Sequence, residues 1–425
     1  MAYNRYMIYP LQNALSTEAP SLHLPFPYGS WGTKNGRIEQ KSWKKRWGYN
    51  TADRTLTSHT PYAVILYQLK GGTRNTMYLT ATDLIKREAG AGGTWSFKTE
   101  TYTTGTIASI TGTAVVGAGT AWGNGTTNIA AGDYFIMDND HDSDSEPDSN
   151  WVKISSVTDD THLTLASAYT KNGTTYKIRK VYTVPSNERW SWCIVDDKLI
   201  FTNGNTNVQY WNGGSGYATD LNSSVAVNAR NCIEYADRLV LADYGSTRDP
   251  LKIGWSKNGD PTNWTDSTSG SATLLGTENY IIGLGKAGAY LMVYRQNSIV
   301  IGNRTSEATA PIIFPRERKG IGAASRWGIV EADGTNFFLS RNDFYRMQGD
   351  YPESIGAKIR DKFFDIVAWT EIEKTWAQHY ELRNEIEWIA NTSEGKFGFV
   401  YNYKLNEWSV NQYYHDIISA GTGAI

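Results

Sequence analysis

Apolar and polar positions along the chain fall into short strand-like runs separated by turn-forming residues. One unit recurs: a turn containing Asp, Asn or Gly, a short apolar strand, a polar turn, and a second strand that often ends in an aromatic. Instances are Asp196-Asp-Lys-Leu-Ile-Phe201 with Val208-Gln-Tyr-Trp211, and Asp237-Arg-Leu-Val-Leu241 with Leu251-Lys-Ile-Gly-Trp255. Three more follow: Ala289–Tyr294 with Ser298–Ile301, Asp333–Leu339 with Asp343–Tyr345, and Asn384–Ile389 with Phe397–Tyr401. Short apolar runs bounded by turn residues predict hairpins. With Leu199, Leu239, Leu291, Phe337 and Ile386 as equivalent positions, the spacings are 40, 52, 46 and 49 residues. These match the ~40 to 50 residues of a propeller blade, a four-stranded sheet set around a central axis.

A sixth unit begins at Ala63-Val-Ile-Leu-Tyr67 and continues through Met77-Tyr-Leu79. Its 135-residue distance to the next unit is too long for one blade, and removing the 79 residues of 104–182 leaves 56. That segment is rich in Thr, Gly and Ala, and Trp151–Ile154, His162–Leu165 and Thr175–Tyr182 read as strands. It is therefore expected to be a small β-barrel or sandwich inserted in a loop of the first blade, since loop tips tolerate insertions. Short helices are expected at 81–88 and 355–365, the second with Ile359 and Phe363 one turn apart. Pro20, Pro25 and Pro27 suggest an extended arm at the start. The predicted organisation is all-β: an arm over 1–59, a β-propeller of about six blades from 60–103 and 183–425, and an inserted β-module over 104–182.

Composition supports this reading, with 40 Gly, 16 Trp and 27 Tyr favouring strands and tight turns. The charge is nearly balanced, 41 Lys and Arg against 43 Asp and Glu, which argues against a general phosphate-gripping surface. Cys193 and Cys232 are the only cysteines; they are read as buried core thiols in a reducing compartment. No basic head precedes an apolar run at the start, and no apolar stretch approaches the ~20 residues of a membrane span. The expectation is a soluble chain, with no membrane association and no classical export.

The chemistry-bearing residues form no enzyme signature. The six histidines, His23, His59, His141, His162, His379 and His415, lack zinc-ligand spacing, and no nucleophile, base and partner set is recognisable. The expectation is a non-enzyme without a cofactor. The acidic run 138–148 offers hard oxygen ligands, and its calcium candidates are Asp138, Asp140, Asp142 and Asp144. It lacks the central Gly of a helical calcium loop, so a solvated loop is expected and no metal site is assigned. Arg316–Gly322 lacks the ending and setting of a phosphate loop and reads as a turn. Lys41, Trp43, Lys44, Lys45, Arg46 and Trp47 combine charge with aromatics. They are candidates for a protein interface or for DNA contact, the interface being preferred because wider basic patches are missing. Abundant Trp and Tyr are read as blade filling rather than sugar platforms.

At Gly320-Ile-Gly-Ala-Ala-Ser-Arg-Trp327, Asp333–Ser340, Asp343-Phe-Tyr345, Gly349 and Ile355-Gly-Ala-Lys-Ile359, the chain resembles the tail hub or nozzle family of short-tailed phages. That family is also described as packaged-DNA stabilisation or tail tubular B proteins. Within the insert, 104–109, 112–122, 131–133, 157–165 and 168–170 are similar to small β-modules embedded in phage tail proteins. The two resemblances cover roughly residues 60 to 410. They imply a structural virion protein, assembled in the host cytoplasm, that forms a homo-hexameric ring beneath the portal and adaptor ring. DNA would pass through its lumen on ejection, and tail fibres or spikes would attach to it. The alternative is a glycan-binding or glycan-cleaving propeller, which should bring an arginine cluster and paired carboxylates together at the axis.

Overall fold

The computed structural model describes residues 61–413, apart from 88–94, 124–128, 141–149, 186–187, 222–223 and 277–278, together with the backbone of Gly36–Glu39 and Ser42–Lys45. The fold is a six-bladed β-propeller carrying an inserted β-module. Six antiparallel four-stranded sheets follow one another along the chain, each built from four consecutive strands. Blades one to six span 61–97, 191–220, 228–273, 281–319, 329–354 and 376–413.

The positions with blade-length spacing, Leu199, Leu239, Leu291, Phe337 and Ile386, all fall on second strands. Second strands are apolar because both of their faces meet neighbouring sheets; in blade three every residue of Arg238–Gly245 is buried. Neighbouring blades share cores. Ile65, Met77 and Leu79 of blade one pack with Leu199, Phe201 and Trp211 of blade two, while Phe337 and Phe344 of blade five pack with Ile386, Trp388 and Trp408 of blade six. Two-residue loops join first to second strands at Asp196-Asp197, Ala236-Asp237 and Asp333-Gly334. Both residues of each loop have φ between 46 and 71°, the left-handed geometry that matches hairpin twist.

The segment expected within a loop of the first blade instead follows that blade's fourth strand, Trp95–Phe97, and precedes blade two. The reason lies in the repeat alignment. Val64 sits on a first strand, Pro61–Gln68, and it is Met77 that occupies a second strand, Arg74–Thr80, as Leu199 does. The module is one seven-stranded antiparallel sheet from Thr101–Tyr102 to Tyr176–Arg179. It curls around Val115, Trp122, Phe135, Ile154, Leu163 and Tyr176, and near its edges Ile107 N–H donates to the Thr174 carbonyl at 2.8 Å.

Three local expectations change. The helix expected at 81–88 is a strand, Leu84–Arg87, because it pairs with Arg74–Thr80 on one side and Trp95–Phe97 on the other as the third strand of blade one. The later helix is confined to Arg360–Ile366, with Ile359 and Phe363 both buried. Most of Arg316–Gly322 belongs to the outer strand Ile312–Lys319 of blade four, and the turn begins at Gly320. Within the expected arm, Gly36–Glu39 pairs with Ser42–Lys45 as a hairpin, and its first strand lies beside Glu407–Tyr413 of blade six.

Candidate functional site at the propeller axis

The first strand of each blade lines a single axial cavity of about 690 Å³. Its wall includes Val64, Trp192, Cys232, Lys286, Glu331 and Gln378, one residue from each blade. Both thiols are free and buried on adjacent first strands, and burial holds the Cys193 thiol well above its ordinary range. At the end where the hairpin loops lie, Lys286 pairs with Glu234 at 3.0 Å.

The other end is where chains cross from one blade to the next, and there three arginines meet two carboxylates. Glu188 arrives on the approach to blade two, Arg230 on the first strand of blade three, and Arg326 on the crossover from blade four to five. Arg326 grips Glu188 with two nitrogens, Nη1 to Oε2 at 2.9 Å and Nη2 to Oε1 at 3.1 Å. Arg230 adds an Nε donor to Glu188 Oε1 at 3.0 Å. Asp243, inside the buried second strand of blade three, accepts from Arg248 Nη1 at 2.8 Å and faces Arg230 Nη1 at 3.9 Å.

Burial decides the titration of this cluster. It lowers Arg326 to about 10 in spite of Glu188, and it raises the Asp243 carboxyl above its ordinary range against the pull of Arg248 and Arg230. Burial likewise lowers Arg189 to about 10, and its guanidinium sits 4.8 Å from the centre of the Trp376 ring.

The crossover Gly320-Ile-Gly-Ala-Ala-Ser-Arg-Trp327 is what delivers Arg326. A Cβ on Gly322 would overlap the carbonyl oxygens of Arg295 and Gln296, and Ala323, Ala324 and Ser325 are all buried. The Ser325 hydroxyl lies within hydrogen-bonding distance of the carbonyls of Glu373 and Thr375 on the approach to blade six. Small residues are needed because backbone from three blades converges here.

Those residues singled out from sequence that the structure describes lie elsewhere. Trp43, Lys44 and Lys45 are on the N-terminal hairpin, where Lys44 sits opposite Arg37; Lys41, Arg46 and Trp47 are outside the described residues. Asp138 and Asp140 are in the module, next to Lys177 and Lys171 at 3.5 Å each. Asp140 also accepts the Tyr169 hydroxyl at 2.7 Å, and Asp142 and Asp144 are outside the described residues. Among the described residues, none of these candidates lines the axial cavity. Sequence reasoning missed Glu188, Arg230, Asp243 and Arg248; the available signal was a lone carboxylate, Asp243, in the apolar run Leu239-Val-Leu-Ala242.

No family model and no curated protein matches this chain. Solved structures do match, at low similarity. BamB from Moraxella catarrhalis is 7% identical with TM-score 0.31, covering 54% of this chain, which spans 62% of that one. The computationally designed Ika8 protein is 7% identical with TM-score 0.40, covering 86% of this chain and 91% of its own. The phage phi92 endosialidase is 11% identical with TM-score 0.25, covering 91% of this chain and 63% of its own.

Proposed function

We propose that the chain is a structural subunit of a phage tail, a ring-forming hub or nozzle that surrounds the path of ejected DNA and offers an attachment surface for fibres or spikes. The observation that carries this reading is the role of Gly320–Trp327, the segment on which the family resemblance rests. Those residues are committed to fastening blades at the axis, with Arg326 tied to Glu188 across the mouth. Each carboxylate of the cluster is already in an ion pair with an arginine, an arrangement that favours rigidity over turnover. An axial cavity of about 690 Å³ holds no length of duplex, so the DNA path would run between copies, with this propeller in the wall of a hexameric ring. The portal and adaptor ring would be its neighbours, in the virion tail.

A glycan-binding or glycan-cleaving propeller is the second reading. It is favoured by Arg230, Arg248 and Arg326 meeting Glu188 and Asp243 at the axis, the constellation such a site requires. Size-exclusion chromatography with mass measurement, followed by negative-stain imaging, separates the two. The proposal expects closed rings. A monomer at every concentration that also retains glycans would overturn it.

A further inference from the structure

The crossover mouth is a pocket of about 330 Å³ lined by Asn205, Arg230, Arg248, Arg326 and Glu373, among others, within the size range of small-molecule sites. Two of its guanidiniums are only partly used. Arg248 bonds Asp243 through Nη1, and Arg230 spends Nε and Nη2 on Glu188 while its Nη1 stays 3.9 Å from Asp243, beyond hydrogen-bond reach. Their side chains are 34% and 33% exposed. Asp243 is itself held in an unusual state: φ is 50° inside a strand, at a register shift between Ala242 and Tyr244. Left-handed backbone at a non-glycine residue and strand bulges both concentrate at functional sites.

We propose that this pocket binds a small carboxylated sugar, with its carboxylate held by Arg230 and Arg248. Planar guanidinium forks match a carboxylate in two-point geometry. The exposed side chains of Asn205 and Glu373 on the same pocket wall are partners for hydroxyls. Asp243, Glu188 and Glu373 all sit close by, so a singly charged carboxylate is tolerated where a doubly charged phosphate meets stronger repulsion. The proposal rests on the glycan-binding reading of this cluster and not on the tail reading, so its failure would leave the test for rings untouched.

Thermal shift and calorimetric titration of the full chain with glucuronate, glucose and inorganic phosphate at constant ionic strength test the assignment. Glucuronate should raise Tm, with a stabilisation that grows with the logarithm of ligand concentration above Kd, and glucose should not. Arg248→Gln should weaken glucuronate about tenfold, the loss of one charge-assisted contact. Arg248→Lys should fall in between, because it keeps the charge and loses the fork. Asp243→Asn should tighten binding, since it removes the carboxylate that competes for Arg248; Asn also tolerates the left-handed backbone. A purely structural ion cluster does not produce that gain. No shift with glucuronate, an equal shift with phosphate, or weaker binding in folded Asp243→Asn protein would each overturn the proposal.

Discussion

The blades and the inserted module are both antiparallel β-structure, yet they bury their side chains in different ways. A blade has no complete core of its own: Leu239 and Leu241 of blade three pack toward blade two, and Val240 and Ala242 on the same strand pack toward blade four. Alternation within a strand thus divides the burial between two neighbours. The module closes on itself, with the Tyr176 ring in contact with both Trp122 and Phe135 inside one curled sheet. A blade therefore requires its neighbours, while the module should be dispensable to them.

The largest effect should come from where the module is cut. Replacing 104–176 by Asn-Gly keeps the pairing of Thr101 and Tyr102 with Arg179 and Ile178 and should leave a cooperatively melting propeller. Removing 104–182 also takes Tyr182, which packs against Trp190 and Phe201 in the core shared by blades one and two. It takes Arg179 as well, the partner of buried Asp83. The longer cut should cost at least about 3 kcal/mol more, the scale of one lost core aromatic. Denaturant melts of both deletions decide; equal stability would show that the stem carries nothing.

The next effect concerns the joint. Arg179, on the last strand of the module, reaches Asp83 of blade one at 3.1 Å, with side chains 5% and 1% exposed. Its guanidinium lies 3.8 Å from the centre of Phe97 in blade one and 4.8 Å from Trp151 in the module. Asp83→Asn removes one partner of a buried ion pair, a change that typically costs about 3–5 kcal/mol. Calorimetry should show one transition in the parent splitting into two, because the joint is lost while both cores persist. A single transition at the parental temperature would mean that the two regions are coupled elsewhere.

The same contrast explains what the sequence made legible. Second strands stood out because burial on both faces keeps Leu199, Leu239, Leu291, Phe337 and Ile386 apolar at blade-length spacing. The first strand of blade one, Pro61–Gln68, is apolar too, so nothing local separates Val64 from Met77, and the repeat spacing puts the module inside blade one. Leu84-Ile85 next to charged residues has the look of a helix, and only its pairing partners made it a strand. The axis cluster was the least legible part. Glu188 and Arg326 are 138 residues apart and meet only because the ring curves back on itself; no periodicity encodes that meeting.

The smallest effect lies in two hairpin loops. Ala236 has φ 55° in the two-residue loop of blade three, where the loops of blades two and five have Asp196-Asp197 and Asp333-Gly334. Left-handed backbone costs an alanine about 1 kcal/mol, because Cβ crowds the following carbonyl oxygen. Ala236→Gly should relieve that crowding and, after the added chain entropy of glycine, stabilise the propeller by about 0.5 kcal/mol. In the module the corresponding position already holds Gly112, with φ 60° in the loop between Thr111 and Ala114. Space around it is open, so Gly112→Ala should cost about 1 kcal/mol through backbone strain alone. Made in the Asp83→Asn background, the first change should raise only the propeller transition and the second lower only that of the module. Movement of both transitions by either change would show that blades and module still fold as one unit.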